Sequence, residues 1–320
     1  MRALVTGCAG FIGSHLTESL LADGVEILGI DCFNENYGRR QKLHNLERAR
    51  EWDAFEFVPI DLSRGDLEDV VAEADVVFHL AAEPGVRASW GRGFERYVRN
   101  NVLATQHLLE AARRRAGVRF VYSSSSSIYG QAETLPTHES VLPAPFSPYG
   151  VTKLGGEHLC RLYHANFGVD AVILRYFSVY GPRQRPDMAF RIFCDAVLAG
   201  EPLRVFGDGG QTRDFTFVGD VVKVTRTAAA AAGVSGHTFN VGGGSRVSLN
   251  TAIDLLQEFA GRSVEVNRTE GQHGDVRDSV ADIHAARDTL GYSPSVRFED
   301  GLRAEWDWAA ARAAVHSGRG

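Results

Sequence analysis

Short apolar runs alternate with amphipathic stretches through the first half of the chain. Ala3-Leu4-Val5, Val25–Ile30, Phe55–Ile60, Val76–Leu80, Arg119–Tyr122 and Val169–Tyr176 predict strands buried on both faces, since runs this short and continuous leave no side for solvent. Between them Ile12, Leu16 and Leu20 recur every fourth residue, and Val102, Leu109 and Ala112 share the inner face of a helix predicted over Asn101–Arg115. Pro148 suits the first turn of a further helix carrying Leu154, Leu159 and Leu162 up to Phe167. This alternation predicts an α/β fold, a Rossmann-type doubly wound parallel sheet. Beyond Tyr176 the texture changes to a stiff charged loop, Gly181–Asp187, and shorter elements, Leu203–Gly207 and Gln211–Phe215. The expected division is a first domain over 1–178 and a smaller C-terminal α/β lobe over 179–320, with the segment near 236–243 (Phe239–Val241) free to return to the first sheet. Ala228–Ala232 reads as high-propensity helix, and Ser248 as the start of a helix through Phe259. Trp306 and Trp308 should pack a C-terminal helix, with Gly318–Gly320 frayed.

Composition narrows the class without changing that picture. A chain of 320 residues with 44% hydrophobic and 23% charged side chains is ordinary for a globular protein with a substantial core. A net charge of −6 gives no reason to expect nucleic acid, so an anionic ligand must be met by local arginines. Cys8, Cys32, Cys160 and Cys194 show no paired spacing, which suits reduced thiols and a cytoplasmic location. A strand already under way at residue 3 leaves no room for a signal peptide, and no apolar run reaches membrane-spanning length. The histidines form no ligand-like cluster, so no metal is expected.

Two stretches carry chemistry. The first strand breaks into Thr6-Gly7-Cys8-Ala9-Gly10-Phe11-Ile12-Gly13, and the next ends in Asp31. Glycines let such a turn approach a pyrophosphate and aim helix N-terminal amides at it, while an acid about 20 residues on receives ribose hydroxyls and repels a 2′-phosphate. The expected ligand is NAD. Cys8 reads as a small packing residue. Asp61, after another strand, would either orient the adenine or satisfy its own loop. Arg113-Arg114-Arg115 reads as compensation of a helix C-terminus. The second stretch is Ser123–Ser127 at a strand end, followed by Tyr149-x-x-x-Lys153. A phenol ionises near pH 10 in water, but a lysine one helical turn away and a nicotinamide cation both favour the phenolate. Tyr149 can then take an alcohol proton while hydride leaves for NAD, with Ser125 holding the same oxygen. Ser123 and Ser124 are expected to satisfy strand-end backbone groups.

Taken together, Thr6-Gly7-x-x-Gly10-x-x-Gly13, Asp31, His79-Leu80-Ala81-Ala82, Ser123-Ser124-Ser125 with Tyr129-Gly130, Tyr149-x-x-x-Lys153 and Arg175-Tyr176-Phe177 with Tyr180-Gly181-Pro182 resemble the extended short-chain dehydrogenase/reductases, over essentially the whole chain. The nucleotide-sugar 4-epimerases fit best. That resemblance implies Ser125, Tyr149 and Lys153 as the catalytic set. Around tightly held NAD it implies Gly7, Gly10, Phe11, Ile12, Gly13, Asp31, Asn34, Asp61, Leu62, Leu80, Ala81, Ala82, Asn100, Ser123, Tyr176 and Phe177. It also implies Arg213 on a UDP pyrophosphate, Phe206 near the uracil, Arg277 as a second phosphate ligand unless it is a plain surface arginine, and a homodimer through the Asn101 and Tyr149 helices.

Two features narrow the sugar. Relatives that eliminate water or decarboxylate carry an acid where Ser126 and Ser127 stand, so elimination is disfavoured. Asp31-Cys32-Phe33-Asn34, Gly85-Val86-Arg87 and Arg183–Met188 look like UDP-glucuronic acid 4-epimerases, with Ser178 where those commonly have threonine. Arg87, Ser126, Ser127, Ser178 and Arg185 are the substrate candidates, against local capping for the serines and a surface ion pair for Arg185. Glu83-Pro84 departs from the usual Gln-Ala, and the direction of Glu83 is left open. The expected activity is NAD-dependent 4-epimerisation of a UDP-hexuronic acid. The alternatives are a UDP-glucose/galactose-type 4-epimerase, a net-redox nucleotide-sugar reductase, and, remotely, a non-catalytic NAD-binding regulator.

Overall fold

The computed structural model describes residues 1–34, 38–64, 67–271 and 274–317, so the expectation for Gly318–Gly320 lies outside the described residues. Seven parallel strands form the central sheet: β1 (Arg2–Thr6), β2 (Glu26–Ile30), β3 (Phe55–Val58), β4 (Val76–His79), β5 (Arg119–Ser125), β6 (Asp170–Tyr176) and β7 (Thr238–Val241). Their spatial order is β7-β6-β5-β4-β1-β2-β3, so the chain reverses direction between β1 and β4. Ligands of open α/β sheets bind in the crevice that such a reversal opens at the strand C-termini. Both the Gly7–Gly13 turn after β1 and the serines after β5 lie at that end.

Helices cover both faces, as right-handed crossovers require. Helix α1 (Phe11–Ala22) and helix α4 (Val218–Ala230) close one apolar layer with Leu16, Leu20, Val121, Val172, Val221 and Phe239. Helices α2 (Ala104–Arg114) and α3 (Pro148–Phe167) close the other with Leu4, Val77, Leu109, Ala112, Phe120 and Cys160. Val102 is only partly buried and sits beside Gly155 of α3, while Leu162 is 55% exposed. The predicted Asn101–Arg115 helix is a π-helical turn at Val98–Leu103 that passes into α2, a distortion often found at functional sites. Of the arginines at its end, Arg113 pairs with Glu110 at 2.6 Å and Arg114 with Glu68.

The segment after Tyr176 builds its own core from Tyr180, Phe190, Phe193, Phe215, Leu256 and Phe298, which Trp306 of helix α5 (Phe298–Ser317) joins. Ser248 caps the helix Leu249–Ala260, its Oγ accepting from Thr251 N–H at 3.0 Å. The element predicted over Gln211–Phe215 holds a two-residue strand, Thr212–Arg213, and a second short strand follows it at Thr216–Phe217. The side chain of Asp214 between them instead accepts from Gly243 and Ala281 N–H.

Candidate active site

A cavity of about 960 Å³ runs along the C-terminal edge of the sheet. Its first end is made by the turn after β1. Gly7 has φ +72°, and a Cβ there would meet Ala81 N at 2.9 Å, while a Cβ on Gly13 would meet the Gly7 carbonyl at 2.1 Å. The turn therefore requires glycine to fit against the β4 loop and its own helix. Thr6 Oγ1 and His79 Nδ1 lie 2.8 Å apart, with Thr105 Oγ1 on the far imidazole nitrogen at 2.9 Å. Burial and the Lys153 charge push His79 down to about 3, so it stays neutral and serves as a structural pin between β1, β4 and α2.

Asp31 is buried at the end of β2, and its Oδ1 accepts from Phe33 N–H at 2.8 Å and from Lys42 Nζ at 3.1 Å. Lys42 carries no motif, and sequence reasoning missed it. Gly7, Gly10, Phe11, Ile12, Gly13, Asp31, Asn34, Asp61, Leu62, Leu80, Ala81, Ala82, Asn100, Ser123, Tyr176 and Phe177 all line this part of the cavity. Asp61 also closes its own turn, accepting from the Ser63 amide and hydroxyl at 3.0 and 2.7 Å. A tight glycine turn beside a buried acid, opening into one long groove, fits a dinucleotide.

The other end of the cavity carries the proton-transfer set. Ser125 Oγ lies 3.1 Å from Ser127 Oγ and accepts from Ser127 N–H at 3.1 Å. Tyr149 sits one residue into α3, whose start Ser147 caps by accepting from Gly150 N–H. Burial raises the Tyr149 phenol, whereas a hydrogen bond with Ser125 and the Arg185 charge lower it. Lys153 lies 4.6 Å over the Tyr122 ring, and burial lowers it to about 8 against the opposing fields of Cys160 and Glu157. Ser125 and Arg185, the second of which no motif indicated as a tuner of the phenol, are thus lowering influences on Tyr149. Tyr97, also missed, packs edge-on to Tyr149 at 6.2 Å and donates to the Pro84 and Gly85 carbonyls.

Ser124 corrects an expectation. Its hydroxyl donates to the buried Glu157 carboxylate at 2.5 Å, not to a strand-end backbone group. Glu157 in turn takes both arms of the buried Arg175 at 2.9 and 2.7 Å, and Arg175 donates to the Tyr129 hydroxyl at 2.6 Å. A helical step of four from Lys153 to Glu157 was the available signal.

Ser126, Ser127, Ser178, Arg185, Phe206, Arg87 and Arg213 line the remaining wall. Arg185 makes a two-pronged pair with Asp187, both contacts 2.9 Å, while its charge reaches Tyr149. Arg87 pairs with Asp275 at 2.9 Å and stacks 4.2 Å over Phe206, with Arg204 5.0 Å from the same ring. Arg213 is held by the Thr212, Val276 and Arg277 carbonyls. Arg277 does not join the others. It is not among the cavity-lining residues, and its exposed guanidinium pairs with Asp208 at 2.8 and 3.1 Å.

The chain belongs to the NAD dependent epimerase/dehydratase family, whose model matches residues 3–242. It is similar to the UDP-glucuronic acid 4-epimerase of Bacillus cereus, solved in complex with UDP-glucuronic acid and NAD, at 44% identity and a TM-score of 0.95 over 98% of this chain and 100% of that one. An uncharacterised UDP-glucose epimerase of Bacillus subtilis is 43% identical across 95% of this chain and 96% of its own length. A UDP-glucuronate 4-epimerase of Thermodesulfobacterium geofontis is 35% identical across 96% of this chain and 95% of its own length.

Proposed function

We propose that the protein interconverts the C4 epimers of a UDP-hexuronic acid, UDP-glucuronate and UDP-galacturonate. The observation that carries the reading is the wall around Tyr149. Ser125, Ser126, Ser127, Ser178 and Arg185 line the same cavity as Tyr149, and the resemblance to the family puts hydroxyls at the two positions where eliminating relatives have acids. NAD, which the Gly7–Gly13 turn and Asp31 would hold, would supply a hydride acceptor for C4 that is restored within the same cycle, so no net oxidation would result. Tyr149 takes the 4-hydroxyl proton as its phenolate and gives it back after the sugar has turned over. Ser125 holds the same oxygen through both half-reactions, and Lys153 supplies a nearby positive charge while protonated.

A 4-keto uronic acid is a β-keto acid and loses CO2 when its carboxylate bond aligns with the ketone. Ser126, Ser127 and Ser178 as donors, and Arg185 exchanging Asp187 for the substrate, would hold the carboxylate out of that alignment. Arg213 and Arg87 suit the pyrophosphate and Phe206 the uracil. Two further readings complete the proposal. Val98, Leu103, Val151, Leu162 and Phe167 are exposed apolar side chains on α3 and the segment leading into α2, which supports a homodimer through those helices. Cys8, Cys32, Cys160 and Cys194 are free thiols, which supports a reducing, cytoplasmic setting; no helix among the described residues is long and apolar enough to cross a membrane.

The test is to incubate the purified protein with UDP-glucuronate and, separately, with UDP-glucose, following the anomeric signals by NMR. Epimerisation of the uronate is expected. Conversion of UDP-glucose alone would replace the uronate by a neutral sugar, as the name of the B. subtilis relative suggests. Accumulation of NADH would make the protein a reductase.

A further inference from the structure

Glu83 stands between cavity-lining residues, Leu80, Ala81 and Ala82 before it and Pro84 after it, yet it does not line the cavity itself and is only 2% exposed. Its Oε2 accepts from two side-chain amides, Asn34 at 3.1 Å and Asn100 at 3.0 Å, and Oε1 lies 3.3 Å from the Arg96 guanidinium. Asn34 comes from the loop after β2, and its own Oδ1 accepts from Lys42 at 2.6 Å, the lysine that also donates to Asp31. An unbroken chain Asp31–Lys42–Asn34–Glu83–Asn100 therefore crosses from the β2 loop to the β4 loop and the π-helical turn. Asp31, Lys42, Asn34 and Asn100 all face the groove from this chain.

The Glu83 end is tied down on both sides of its peptide. Asn101 brackets the Glu83 peptide, accepting from its N–H at 2.6 Å and donating to its carbonyl at 3.0 Å, and also donates to Thr152 of α3 at 3.0 Å. The Asn34 end follows Phe33, whose ring packs 5.2 Å from that of Phe57, so the described residues of this loop reach the core through Phe33 and the β4 loop through Asn34. A buried carboxylate beside one half-exposed arginine is costly unless hydrogen bonds complete its shell. Here two amides donate to Oε2, and the Arg96 guanidinium stands 3.3 Å from Oε1 as the counter-charge. A glutamine would have to turn its own amide donor toward one of them.

We infer that Glu83 is the fixed half of a clasp, closed by Asn34, that holds the Asp31–Asn34 segment against the groove and slows release of the dinucleotide. A cofactor regenerated in every cycle gains nothing by leaving, so a groove closed by a side-chain bridge suits such an enzyme. Glu83 is thus a positioning residue that acts through Asn34 and Asn100. The inference rests on the groove holding NAD and not on which sugar is turned over.

The experiment loads the full chain with NAD and measures its release into an excess of an NAD-consuming dehydrogenase. Asn34→Ala and Glu83→Ala are each expected to speed release about tenfold, and the double variant no more than the faster single one, since both open the same bridge. Asn34→Asp turns a carboxylate toward Glu83 and should also speed release, and adding Glu83→Gln should reverse that effect by removing the repulsion. This pair keeps the test valid if Glu83→Ala fails to fold. Release within twofold of the parent in Asn34→Ala and Asn34→Asp, or effects that multiply in the double variants, would overturn the clasp alone. A parent chain that binds no NAD would overturn the cofactor assignment and the clasp with it.

Discussion

Tyr149 must lose its proton to act as a base, and its surroundings pull in opposite directions. Burial raises the phenol, and Ser125 and the Arg185 charge bring it down. Replacing Arg185 by Met removes a lowering influence, so the Tyr149 pKa rises and the ascending limb of the kcat/KM–pH profile should move to higher pH. Asp187→Asn removes the charge that offsets Arg185 and should move the limb the other way. Tyr149→Phe should cost about 10²–10⁴-fold in kcat, the usual worth of a positioned proton carrier. Ser178→Ala should weaken the hold on the carboxylate, giving a pentose by-product and a lower preference for the uronate; unchanged preference and no pentose would remove Ser178 from the specificity set. At this scale the sequence showed most of the side chains that face the cavity, though not Lys42 and wrongly Arg277, because glycine turns and Tyr-x-x-x-Lys are local patterns. It did not show what tunes them, since Arg185 lies 36 positions beyond Tyr149.

Helix α3 is bonded to β6 through the buried Glu157–Arg175 charge pair and to β5 through the Ser124 hydroxyl on the same carboxylate. Ser124, Glu157 and Arg175 lock the serine strand to the helix that carries Tyr149 and Lys153, and fix Ser125 relative to the phenol. Glu157→Gln leaves the Arg175 guanidinium buried without its counter-charge, and a loss of about 3–5 kcal/mol in urea-denaturation stability is expected. Ser124→Ala keeps the ion pair and should cost about 1–3 kcal/mol. The strands were legible from their uninterrupted apolar runs. The role of Ser124 was not, because its partner lies 33 residues away and only tertiary packing brings the two together. The π-helical turn escaped for a similar reason: periodicity registers a helix but not one extra residue within it.

Across the molecule, one buried carboxyl links the C-terminal helix to the segment that carries Arg185. Glu305 of α5 accepts from Gly181 N–H at 2.8 Å, and burial pushes its carboxyl up to about 8 from an ordinary 4.5. The folded chain thus keeps a proton that the unfolded chain releases. That stabilisation is complete below pH 4.5 and is lost as pH rises through about 8. Thermal melts should show Tm falling across this window, and Glu305→Gln should flatten the slope; an unchanged slope would exclude Glu305 as its source. The doubly wound class was readable from the alternation of apolar runs and amphipathic stretches. The short strands of the C-terminal lobe were not, because Thr212–Arg213 and Thr216–Phe217 are too brief to show a period and exist only through pairing with distant partners.

The central claim is reversible oxidation at C4 of a uronate, with the hydrogen carried away and back within one active site. It is tested most directly by UDP-glucuronate bearing deuterium at C4, incubated with the purified protein in ordinary water and followed by NMR and mass spectrometry. The expected result is the C4 epimer with the deuterium still at C4, no pentose, and no accumulation of reduced NAD. Loss of the label to solvent, or an untouched uronate beside rapid turnover of UDP-glucose, would contradict it.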